Sequence, residues 1–260
     1  ALFVGAILLV VMVFRERTGE RLLPWTRGET SEINRAIQVE AWWPLLRTVA
    51  ASMFRRSSLL HAGAMIMGGA VYGLIVGIGP LVAIEAFGWS DAQYSSLSGT
   101  GNLIAGVLGI IFFGMAIDRI GSKNATMIGF ALTIAAAIAF LLAKPYWSAG
   151  SPLLLVAFVV IILTLIVWTQ VSQCASAMKI CSIRVAATQF SLYMAISNAG
   201  ISLATAGLGG LDALGGLTAM ILAFAAVGIG GILLTLAQGD LVPLDAGLRQ
   251  APAAPAEPAK

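Results

Sequence analysis

The sequence predicts an all-α integral membrane protein with six full transmembrane helices and a truncated one before them. Three observations carry this. Of the 260 residues, 59% are hydrophobic and only 10% charged, where a soluble domain carries about 25% charged residues. The apolar residues gather into runs of the length that a bilayer requires of a helix, about 20 residues. Mean hydropathy is +0.94. A soluble enzyme, a disordered chain and a nucleic-acid-binding module are excluded, and the bilayer becomes the first partner. Twenty-nine glycines fit the same reading, because small residues let helix backbones approach closely in lipid.

The elements follow in order. Residues 1–14 (ALFVGAILLVVMVF) are apolar but reach only about 21 Å as a helix, too short to span. Arg15 and Arg17 follow this run, whereas a signal peptide carries its basic residues first. The run reads as the end of a transmembrane helix, and the chain as a fragment of a longer protein. Residues 15–57 form a basic linker. Within it, residues 41–54 set Trp42, Trp43, Leu45, Leu46 and Val49 against Arg47, Arg55 and Arg56, the pattern of an amphipathic helix in the membrane interface. Full spans are expected at 59–86, 97–117, 124–143, 152–174, 187–207 and 216–237, making a six-helix domain over 58–237. Residues 238–260 close on APAAPAEPAK, a Pro/Ala-rich disordered tail.

Charge placement orients the chain. Arg15, Arg17, Arg21, Arg27, Arg35, Arg47, Arg55 and Arg56 lie in the linker, and Arg119, Lys123, Lys179 and Arg184 in two short loops. With Arg249 and Lys260 of the tail they fall on one side, leaving Lys144 alone on the other. Basic residues accumulate on the cytoplasmic side, so linker, tail and these loops are read as cytoplasmic in a bacterial inner membrane. Trp89, Tyr94, Tyr146 and Trp147 flank the outer loops, where an aromatic belt belongs. Cys174 and Cys181 stand seven positions apart, roughly 10 Å along one helix and beyond disulfide reach. With His61 the only histidine, neither a metal nor another cofactor is expected.

Between the second and third full spans stands Gly114-Met-Ala-Ile-Asp118-Arg119-Ile-Gly121-Ser-Lys123. Gly114 can allow tight packing at a helix end, Gly121 a sharp turn, and Asp118 can face the positive N-terminus of a neighbouring helix. Arg119 and Lys123 hold the loop inside. This segment resembles the G-x-x-x-D-R-x-G-x-[RK] gating-loop signature of the major facilitator superfamily. The resemblance implies that the chain is the C-terminal half of a twelve-helix carrier, from a helix-six remnant through the linker to helices seven to twelve, built as two three-helix inverted repeats. The missing N-terminal half would then be a partner. A narrower resemblance rests on Ser176-Ala-Met178-Lys-Ile-Cys181, on Ala187-Thr188-Gln189-Phe190-Ser191-Leu192 and on the linker segment RERTGERLLPW. These are similar to the AmpG-type muropeptide permease and peptide/acetyl-CoA transporter branch. That branch carries an acidic residue midway along helix seven, where this chain has Gly69-Ala-Val-Tyr72-Gly73.

Polar residues inside a membrane face a cavity or a neighbouring helix. Gln189, Tyr193 and Ser197 share one helix face at i, i+4, i+8, with Asn198 and Ser202 beside it. Trp168, Gln170 and Gln173 lie towards the cytoplasmic end of the fourth span, Tyr72 and Asn102 on the first two. Together they read as the wall of a cavity for a small hydrogen-bonding solute. Glu85 is the only carboxylate within a span and the candidate for proton coupling. His61, at the start of that span, reads as interfacial. Gly69-x₃-Gly73-x₃-Gly77 is a small-residue packing stripe, with Gly79-Pro80 beyond it as a kink. No phosphate-binding loop and no nucleophile–base set is present, so a gradient-driven secondary transporter, proton-coupled and working by alternating access, is expected rather than an ATPase or an enzyme. The alternative is a non-transporting membrane subunit or assembly factor that keeps the carrier scaffold.

Overall fold

The computed structural model describes residues 42–147, 152–239 and 241. The shortened first helix, the linker up to residue 41 and the tail from 242 onward lie outside the described residues. The chain divides into two compact units, Ala1–Leu45 and Leu46–Lys260. Of the first, only the opening turn of helix α1 (Trp42–Met53) is described. Along α1, Val49 and Ser52 are buried while Trp42 and Trp43 are 74% and 71% exposed.

Five stretches among the described residues are long and apolar enough to cross a bilayer. They are α2 (Arg56–Ala86), α3 (Asp91–Ile120), α4 (Ser122–Leu142), α5 (Pro152–Ile180) and the 55-residue stretch Ile183–Ala237. The last is broken where Gly216 takes φ 59° and ψ −144°, a region of backbone space closed to residues with a Cβ. It divides into α6 (186–214) and α7 (217–237). Contacts prove a reversal there. Gly69 meets Ser197 and Gly73 meets Ile201, so α6 runs parallel to α2. Gly63 meets Leu234 and Gly230 meets Met67, so α7 runs antiparallel to it. The six apolar runs therefore become six crossings on five continuous stretches.

Local chemistry sets the ends. α2 passes through Pro80 and widens into a π-turn at Val82–Ala86. Ser90 and Gln93 form a reciprocal capping box that starts α3: Gln93 Oε1 accepts from the Ser90 N–H at 2.8 Å and Ser90 Oγ from that of Gln93 at 3.3 Å. The cap adds polar residues 91–96 to a helix whose apolar run begins only at 97. Gly121, at φ 84° and ψ 138°, separates α3 from α4.

The helices fall into two interchangeable triplets. α5, α6 and α7 begin 96, 95 and 95 residues after α2, α3 and α4, and a glycine of positive φ precedes both α4 and α7. α5 runs parallel to α3, with Gly101 by Leu163 and Phe113 by Trp168, as α2 runs parallel to α6. α4 and α7 pair antiparallel through Phe130–Gly231 and Ile134–Gly228. Exchanging the triplets maps one parallel pair onto the other and returns the α4–α7 pair to itself, as an inverted repeat requires. The core lies between α2, α4, α5 and α7, around Ile78, Phe130, Phe158, Ile162 and Phe224. One end of the bundle carries Arg55, Arg119, Lys123, Lys179 and Arg184, here termed the basic end. Glu85, Lys144 and Asp212 lie at the opposite end.

Candidate solute-binding face

The polar side chains read from sequence as one cavity wall separate into two groups. The first group is hydrogen-bonded within the protein and buried, save for the half-buried Trp168. Gln173 of α5 donates through Nε2 to the Ala64 carbonyl of α2 at 2.6 Å. Gln189 accepts through Oε1 from the Ser182 N–H at 2.9 Å and donates through Nε2 to Tyr193 Oη at 3.2 Å, with both side chains fully buried. Trp168 donates through Nε1 to the Ala125 carbonyl at 2.8 Å and packs edge-on against Phe113 at 5.1 Å. The face carrying Gln189, Tyr193 and Ser197 is thus a helix–helix face, as α2 presses its glycines against it. In this conformation Gln173, Gln189 and Tyr193 are covered and hydrogen-bonded, and Trp168 is half-buried.

The second group is exposed. Asn102 donates only to the Ser98 carbonyl of its own helix, at 3.0 Å, and Asn198 lends its carbonyl to Ser202 Oγ at 3.2 Å. Each asparagine sits in a stripe of polar and small residues with the same spacing. Ser95, Gly99, Asn102 and Gly106 follow at i, i+4, i+7 and i+11 on α3, and Ser191, Ala195, Asn198 and Ser202 do so on α6. Seven of the eight are exposed and Gly106 is half-buried. The two stripes stand 96 residues apart, in the same register as the helix triplets. Tyr72 is half-buried against the core, and Gln170 is half-buried on α5.

The loop between α3 and α4 departs from expectation at one position. A Cβ on Gly114 would meet nothing within 4 Å, because α3 packs through Gly101, Ala105 and Phe113 and turns Gly114 outward. Gly121 does take the turn. Asp118 and Arg119 are exposed. Lys123 Nζ donates to the carbonyls of Leu236 and Gly239, both at 3.3 Å, placing a cation on the C-terminus of α7 where unpaired carbonyls collect. The spacing of the loop did not disclose this role, because the carbonyls it meets lie more than a hundred residues downstream.

Glu85 is exposed on the π-turn of α2. It shares a cavity of about 250 Å³ at the opposite end with Lys144, Trp147 and Asp212. His61, read from sequence as interfacial, is instead 1% exposed and edge-on to Tyr193 with ring centroids 5.0 Å apart. Ser58 and His61 at i, i+3 on one face of α2 were the available signal that this end of the helix is covered.

Two interchangeable triplets of long apolar helices are the architecture of a polytopic membrane protein. The chain belongs to the Major Facilitator Superfamily, whose family model matches residues 1–205. No curated protein and no solved structure matches it. It is thus a multi-pass membrane protein of a family of transporters, not of enzymes.

Proposed function

We propose that the chain forms one wall of the solute path of a secondary carrier, with the two stripes around Asn102 and Asn198 as that wall. The observation that carries this is their pairing. Uncovered amide and hydroxyl groups on apolar helices call for water, solute or another helix opposite them, and here they recur at matching positions of the two repeats. An inverted-repeat carrier binds its solute near the midplane and rocks to expose it alternately on each side. Tyr72 and Gln170 stand ready to join the wall as the helices shift.

Positive-inside asymmetry supports placing the basic end in the cytoplasm of a bacterial inner membrane. Gly121, Asp118 and Arg119 then form the inner gating loop. The motifs at 176–181 and 187–192 support a solute of the muropeptide or peptide-conjugate class, driven by protons. Glu85, in the outer cavity beside Lys144, is the coupling carboxylate of this reading.

Uptake of a radiolabelled muropeptide into vesicles tests it. Asn102→Ala and Asn198→Ala should each raise KM, their double substitution should abolish uptake, and a protonophore should collapse the wild-type signal. Unchanged uptake in the double variant would refute the wall, and uptake indifferent to the protonophore would refute the driving force.

A further inference from the structure

Glu85, Lys144 and Asp212 reach one cavity from three breaks in regular helix. Glu85 stands on the π-turn that ends α2, and Lys144 opens a tight 3₁₀ turn after α4. Asp212 lies on the last turn of α6, just before the reversal at Gly216. It folds over that reversal, with its Oδ1 3.8 Å from the place that a Cβ on Gly216 would occupy. π-turns inside α-helices occur frequently at functional sites.

The cavity floor is apolar and buried at Val82 and Met220. Trp147 walls one side and is braced by its stack on Phe140 at 4.5 Å. An apolar lining with a few charged groups at fixed places is the usual make-up of a small-molecule site. At about 250 Å³ the cavity is smaller than the roughly 300–1,000 Å³ of pockets for drug-sized ligands. It therefore suits an amino acid, a dipeptide or the end of a larger solute.

Both signs of charge are present and neither is used internally. None of the three side chains makes an ion pair or a hydrogen bond with another described residue. An ion pair between such exposed groups would be worth only about 0–1 kcal/mol, so little draws them to one another. A ligand that carries an ammonium and a carboxylate meets two of them at once, while its apolar part covers the floor.

We infer that this cavity receives the zwitterionic part of a peptide solute. Asp212 takes the ammonium group and Lys144 the carboxylate. Glu85 keeps its coupling role and binds the proton: its carboxylate gains one proton and becomes neutral, and no other bond forms or breaks. The three groups then sum to zero charge, which matches a zwitterion, so that proton and solute occupy the cavity together. The coupling role rests on the proton-driven reading above, whereas the recognition chemistry stands without it.

Ligand-observed NMR on the full chain in lipid nanodiscs tests the site with alanyl-alanine, its N-acetyl derivative and its C-terminal amide. Alanyl-alanine should bind saturably, and loss of either terminal charge should weaken binding at least tenfold. Asp212→Asn should weaken the dipeptide at least tenfold, yet leave the N-acetyl derivative, which has no ammonium, as in the parent. Lys144→Met should likewise weaken the dipeptide and leave the amide unchanged. Asp91→Asn, at an exposed acid of the same end outside the cavity, should alter none of the three. All three replaced side chains are exposed, so the fold should survive, and circular dichroism checks that it does. No saturable binding, equal binding of the three probes, or variants that weaken all probes alike would overturn the site. Vesicle uptake of the muropeptide probe separates the site from the reading beneath it. Dipeptide binding beside uptake that ignores the protonophore defeats the driving force and upholds the site. Protonophore-sensitive uptake by a chain that binds no dipeptide defeats the site and leaves the driving force standing.

Discussion

Gly69 of α2 lies directly against the carbonyl oxygen of Ser197 on α6, so that a Cβ at this position would collide with backbone rather than with a movable side chain. Gly73 repeats the relationship one turn on against Ile201, and Gly200 returns it from α6 against Ile66. Backbone cannot yield as a side-chain tip can, so Gly69→Ala should destabilise the bundle by about 1–3 kcal/mol, the usual penalty of overpacking. Gly114→Ala, with open space around it, should be neutral or stabilising by up to about 1 kcal/mol, because alanine is the better helix former. Thermal unfolding in detergent of the two variants side by side checks the contrast.

The reversal between α6 and α7 depends on Gly216. Its positive φ is available to other residues only under strain of about 1–3 kcal/mol. Gly216→Val should therefore lower the unfolding midpoint, whereas Gly215→Ala, at an extended φ of 172°, should be milder. Equal effects from the two would show that the turn is not held by backbone conformation.

Lys123 reaches the last carbonyls of α7 across the bundle. Lys123→Met keeps the aliphatic stem and removes the charge, at an expected cost of about 0.3–1 kcal/mol. Hydrogen exchange should accelerate over residues 233–239 and nowhere on α3. Protection unchanged at that end of α7 would dismiss the cap.

Gln173 bridges α5 and α2 in a covered setting. Gln173→Leu removes the side-chain donor from the Ala64 carbonyl, which keeps its partner within α2, and should cost about 0.5–1.5 kcal/mol. Trp168→Phe removes the indole donor to Ala125 together with part of the ring packed on Phe113, and should cost at least about 0.5–1.5 kcal/mol. Urea unfolding in which neither variant is destabilised would contradict the assignment of these two bonds as inter-helix ties.

Much of the fold was legible because lipid imposes it. Every run of some twenty apolar residues had to be a helix, and Gly121 had to turn the chain. What single-sequence reading missed depends on facing. Periodicity placed Gln189, Tyr193 and Asn198 within one arc of a helix, but not which edge of that arc packs on α2. The glycines at 69 and 73 decided that by drawing α6 against α2 through Ser197 and Ile201. The capping box at Ser90 lengthened α3 because a hydrogen-bonded cap admits polar residues that a hydropathy window rejects. The inverted repeat left no visible identity between triplets, yet it emerged in helix starts 95 or 96 residues apart and in two positive-φ glycines. His61 escaped because burial at a helix end is created by three other helices.

The central claim is that the Asn102 and Asn198 stripes face a water-accessible solute path and not lipid. Single cysteines introduced as Asn102→Cys and Asn198→Cys, in a chain carrying Cys174→Ser and Cys181→Ser, test it by labelling in vesicles with a membrane-impermeant maleimide. Leu103→Cys and Leu203→Cys serve as controls at neighbouring positions that are 69% and 68% exposed. Rapid labelling is expected at 102 and 198, slowed by the muropeptide probe, with inert cysteines at 103 and 203. Cysteines at 102 and 198 as unreactive as the controls would place the stripes in lipid and contradict it.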